Sequence, residues 1–83
     1  MKYAFVFEQG PTSVGASVPD LPRCFAVAAT LDAARTLIAE AIEFHVEGML
    51  EDGERVPKPS SIVELVDVPL ERLVGSYHPL TNP

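Results

Sequence analysis

Residues 17–25 read SVPDLPRCF, and the fold turns on how this stretch is understood. Between positions 20 and 24 it gathers an acid, a base and the chain's one cysteine: Asp20, Arg23 and Cys24. Such a trio could be a reactive site. Two prolines around an Asp also make a rigid corner between strands, because Pro19 and Pro22 fix φ and disfavour helix on either side. An Asp in that setting typically accepts hydrogen bonds from backbone amides of its turn. A reactive cysteine needs a lowered pKa, commonly from a nearby histidine or a helix N-terminus. Cys24 opens a strand instead, and neither His45 nor His78 is near it in sequence. Turn formers account for every residue of the stretch, a catalytic triad for only some. We take it as a corner, with Pro19, Asp20, Leu21, Pro22 and Cys24 as its motif.

Outward from that corner the period changes twice. Upstream, KYAFVFE (2–8) alternates Tyr3, Phe5 and Phe7 against Ala4 and Val6, which reads as a strand. The turn formers Gly10, Pro11, Thr12 and Ser13 follow, and VGASV (14–18) alternates again. Downstream, CFAVAA (24–29) is a third strand, so short loops join an antiparallel meander. Thr30 sits where an N-cap belongs, with Asp32 in the first turn of a long helix over 31–52. At about 100° per residue, Leu31, Ala34, Ile38, Ile42, His45 and Met49 share one face, while Glu40, Glu43, Glu47 and Glu51 form a stripe opposite. Gly53 suits a left-handed helix terminus, and RVPKPSS is a proline-stiffened connector.

SIVELVDV (61–68) alternates once more and predicts a fourth strand. A right-handed crossover through the helix would set it parallel to the first, in the order 3-2-1-4. The sequence thus predicts an α+β, two-layer βββαβ domain over residues 1–68 and a short tail over 69–83. One helix covers one face of such a sheet. The other face, apolar in places, is left for docking or self-association.

Composition narrows the function. Eighty-three residues make one domain, with 47% hydrophobic and 22% charged residues, as an ordinary globular chain has. No apolar run approaches the ~20 residues that span a bilayer, and MKYAFVFEQG reaches Glu8 too soon for a signal-peptide core. A lone cysteine fits a reducing compartment, which points to the cytoplasm. Six basic residues stand against twelve acids, a net charge of −6. Nucleic-acid binding draws most of its free energy from Lys and Arg on phosphates, so a positively charged protein partner fits this chain better.

Other constellations yield no chemistry. His45 lacks a second ligand at helical spacing, and a satisfied, partly buried histidine explains it. His78 has no partner that the sequence supplies. EDGE (51–54) lacks the spaced oxygen ligands of a calcium loop and reads as a helix end. The glutamate stripe reads first as a solvated face and second as an electrostatic contact. No cofactor or metal site follows from these residues.

The pieces together resemble the HicB-like antitoxin family across nearly all of residues 1–68. The family pattern runs through a first strand, a Gly-containing second strand, P-D-L-P-G-C, a capped helix, and E-x-G before a P-x-P-S connector. Pro19, Asp20, Leu21, Pro22, Cys24, Thr30, Ala34, Glu40, Ala41, Gly48, Gly53, Pro57, Pro59 and Ser60 match it in order. Arg23 departs from it, standing where the family usually has a glycine that permits positive φ. The resemblance implies a partial RNase H-like fold without nuclease carboxylates. It also implies a HicA-like mRNA-cleaving toxin as partner. Many members carry a C-terminal DNA-binding domain, and fifteen residues after position 68 are too few to build one.

The leading reading is therefore a non-enzymatic antitoxin that masks a basic toxin, using Glu40, Glu43, Glu47 and Glu51, and that forms a homodimer or larger. Two alternatives stand beside it. One is a vestigial RNase H-like enzyme, for which Glu8, Glu64 and Asp67 are the strand acids. The other is a solitary homo-oligomeric scaffold.

Overall fold

The computed structural model describes residues 1–73, and in it the corner joins two strands as its prolines require. Strands β1 (Val6–Gln9), β2 (Val14–Ser17) and β3 (Phe25–Ala28) form a meander in the order β1-β2-β3. Both pairs are antiparallel: Val6 lies opposite Ser17, and Ser17 opposite Phe25. Pleat parity then sorts the residues. Val14 and Ala16 of β2 point toward the helix and are buried, as is Val18 just beyond the strand. Phe7 and Ala26, opposite Ala16 on either side, pack against the same core.

Helix α1 (Leu31–Glu51) backs this face. The Thr30 hydroxyl accepts from the Ala33 amide at 3.1 Å, satisfying one of the helix's free N–H groups. Ala34 and Ile38 are fully buried, and Ala41, Ile42 and Val46 pack beside them. Leu31, placed on the buried face by periodicity, is 42% exposed, because it opens the helix. The Arg35 guanidinium stands 5.6 Å from the Phe7 ring centroid and ties helix to β1. At the far end Gly53 takes φ 71°, and the Glu54 amide reaches the Met49 carbonyl at 2.8 Å.

Two boundaries differ from the sequence reading. β1 begins at Val6, although alternation starts at Lys2. Its neighbour β2 ends at Ser17, opposite Val6, and beyond that the chain turns into the corner. Residues 2–5 thus have no strand to pair with. Tyr3 instead donates its hydroxyl to the Pro57 carbonyl.

The larger correction concerns residues 61–68. No strand forms there, so among the described residues the sheet has three strands and the expected βββαβ sandwich lacks its last element. The segment runs irregularly with every residue exposed, then makes the single turn α2 (Leu70–Leu73). Alternation reports which residues a strand would bury, but a strand also needs a neighbour to complete its ladder. The molecule is accordingly long, 55 × 28 × 17 Å, with a radius of gyration of 16.8 Å against the ~12 Å of a compact chain this size.

Candidate interaction site

The corner is a closed turn whose one thiol, that of Cys24, is buried. Backbone bonds close it: Leu21 donates to the Val18 carbonyl at 3.1 Å, Cys24 to Leu21 at 3.2 Å, and Val18 to Cys24 at 3.2 Å. These turns bury Leu21 and Cys24 in the core with Val18 and Ile38. Burial disfavours the thiolate and pushes the Cys24 thiol above its ordinary pKa, the opposite of what a nucleophile needs. Arg23 adopts φ 67°, the left-handed backbone for which glycine is suited.

Asp20 does accept from backbone amides, but not from those of its own turn. The Ser60 and Ser61 amides donate to Oδ2 at 2.9 and 3.0 Å, and the two hydroxyls donate to Oδ1 at 3.2 and 2.7 Å. All four bonds favour the charged form. The two backbone amides hold the Asp20 pKa down at about 2. The corner thus clamps the connector that follows the helix, a role the local sequence did not signal.

Glu40, Glu43, Glu47 and Glu51 are all exposed on the helix face away from the core. Apolar grooves lie on both sides of this ridge. Toward β3, Phe25, Val27, Leu37 and Phe44 line a shallow groove that Glu40 borders. Toward the N-terminus, Met1, Tyr3, Ile42, Val46 and Leu50 line another, bordered by Glu43 and Glu47. Phe44 is 79% exposed. Sequence reasoning passed over Phe44, although at ~100° per residue it lies next to Glu40 and Glu51 on the outer face. An aromatic residue among glutamates was the available signal.

The remaining candidates do not converge. His45 is half-buried on α1. Glu8 lies on the sheet face away from the helix, opposite Gly15. Glu64 and Asp67 are on the exposed segment beyond the clamp. Among the described residues, no group of three or more His, Cys, Asp or Glu is placed to hold a metal ion. Likewise, no helix among them is long and apolar enough to cross a membrane. His78 lies outside the described residues.

Fold and site define a small α+β domain with an open, acid-ridged surface and no assembled catalytic group among the described residues. The chain belongs to the family of HicB_like antitoxins of bacterial toxin-antitoxin systems, whose model matches residues 3–71. It is also 42% identical over 69 residues to a protein of Haemophilus phage HP1 (strain HP1c1), described as an uncharacterized 14.9 kDa protein in the rep-hol intergenic region. The match covers 83% of this chain and 52% of that protein, so the chain spans about half the length of this relative.

Proposed function

We propose that this protein neutralises a small, basic, HicA-like mRNA-cleaving toxin by covering its surface, with no chemistry of its own. The observation that carries this reading is the composition of the α1 surface. Phe44, Leu37 and Phe25 supply an apolar centre, and Glu40, Glu43, Glu47 and Glu51 supply an acidic border. Aromatic anchors with a charged rim suit protein recognition, and the acids draw in a cationic partner. Membership of an antitoxin family supports a toxin as that partner. The domain over residues 1–68 acts as the toxin-binding unit, in the cytoplasm, where an mRNA-cleaving toxin would work.

Co-expression tests this directly. The chain should rescue growth of cells expressing a HicA-like toxin and should co-purify with it. Rescue unchanged by Phe44→Ala combined with charge reversal of Glu40, Glu43 and Glu47 would remove this surface from the mechanism. Failure to bind any basic toxin encoded beside it would remove the function.

A further inference from the structure

We propose that residues 61–68 form an exchange arm, which completes the sheet of a second copy of this chain by pairing along its β1 edge. The chain presents two unsatisfied halves of one interaction. The first is the arm. Ile62, Leu65 and Val66 are 86%, 98% and 84% exposed, and Val63 and Val68 are 65% and 50% exposed, so five large apolar side chains stand in water on eight residues. Nothing among the described residues covers them. The run is apolar and rich in β-branched residues, a composition that suits a strand covered on both faces, and a lone strand has no stable existence in solution.

The second half is β1. Among the described residues the order β1-β2-β3 leaves it with one neighbour, so one side of its backbone has no ladder partner among them. Val6 is also half-exposed there, on the face away from the helix.

What joins the two halves is the clamp. Asp20 grips Ser60 and Ser61, and Tyr3 grips the Pro57 carbonyl, so the root of the arm is fixed to the body. Asp20 lies just past Ser17, the partner of Val6, so the root sits near the start of β1. Pro57 and Pro59 stiffen the approach. From this root the arm leaves the body. A short, stiff, pinned hinge that directs a strand outward is the arrangement from which protomers exchange elements. A second copy supplies both an edge for this arm and an arm for this edge, so one two-fold contact satisfies both. The proposal does not depend on the toxin.

The test uses the full chain with a benzophenone amino acid at the exposed position of Leu65, mixed from isotopically heavy and light preparations. After irradiation, cross-linked peptides are sequenced by mass. Exchange predicts heavy–light cross-links from position 65 to residues 3–9. A second measurement uses the Val63→Pro/Leu65→Pro variant, since proline removes ladder donors. Its dimer dissociation constant should rise at least about tenfold, a loss of ~1.4 kcal/mol, with the melting temperature of the monomeric body unchanged. Cross-links confined within one chain would mean the arm closes on its own β1 and overturn the proposal. Cross-links to Phe25 or Val27 would mean that the uncovered sheet face is the dimer contact, and a proline variant that dimerises as the parent does would be equally fatal.

Discussion

Asp20 and Ser61 are 41 residues apart, and yet amide and hydroxyl of Ser61 both donate to that one carboxylate, at 3.0 and 2.7 Å. The pair fastens the connector after α1 to the corner between β2 and β3. It follows that Asp20→Ala should loosen residues 54–61 before it disturbs the core. Trypsin should cut after Arg55 faster in the variant than in the parent, and the melting temperature should fall. Equal cleavage rates would show that Tyr3 and the prolines hold the connector unaided.

The same carboxylate sets a pH dependence. Its pKa in the folded chain is about 2, below the ordinary 3.8, so the charged form is favoured by folding. The stability it contributes is present above about pH 4 and is lost as pH falls through the folded value near 2. Asp20→Asn removes this group's titration. The gap in melting temperature between parent and Asp20→Asn should therefore be widest above about pH 4 and shrink toward pH 2. A gap constant across that range would mean the carboxylate charge contributes nothing.

Arg23 offers a stabilising change. Its φ of 67° puts an L side chain in left-handed backbone, which costs roughly 1–2 kcal/mol. Glycine removes that strain but adds about 0.5–1 kcal/mol of unfolded-state entropy. Arg23→Gly should thus stabilise by about 0.5–1 kcal/mol, and Arg23→Val, β-branched, should destabilise. Urea denaturation of both variants decides it, since a less stable glycine variant would mean that the arginine side chain makes a compensating contact.

Local sequence made the meander and the capped helix readable, because each depends on neighbours within a few residues. The left-handed backbone at Arg23 was not readable, since arginine itself disfavours it. Thr30, Gly53 and the Pro-Asp-Leu-Pro run declare their conformations without the rest of the chain. The partner of Asp20 was not readable, since turn chemistry predicts amide acceptance but not whose amides. Residues 61–68 show the same limit from the other side. Their apolar, β-branched composition suited a strand, but whether a strand forms depends on what lies beside it. Phe44 was legible and overlooked, because a stripe of four glutamates drew the whole outer face of α1 into a polar reading.

Cys24 distinguishes a structural corner from a reactive one. The thiol is 4% exposed and packed with Leu21 and Ile38. Cys24→Ser buries a hydroxyl there and should cost about 1–3 kcal/mol, whereas Cys24→Ala should cost less. Both should retain the toxin binding proposed for the chain at temperatures where they are folded. In the parent, a thiol reagent should react quickly only after denaturant is added. Fast reaction of the native protein would reopen the catalytic reading of the corner.

The outer face of α1 can be divided between charge and contact. Between residues 40 and 54 there are six acids and no base. Like charges four apart destabilise a helix by a few tenths of a kcal/mol, and lysines interspersed among them would relieve this. Electrostatic steering acts mainly on encounter, whereas a buried aromatic anchor acts mainly on departure. Replacing Glu40, Glu43 and Glu47 with Lys should therefore slow association with a basic toxin and remove most of its salt dependence. Phe44→Ala should leave the association rate nearly unchanged and speed dissociation at least about tenfold, as loss of a central anchor does. Both variants should melt as the parent does, because all four side chains point away from the core. Surface-binding kinetics at two ionic strengths would separate the effects. If the lysine variant associates at the parental rate while Phe44→Ala dissociates faster, the glutamates are solvated surface and the groove beside them carries recognition.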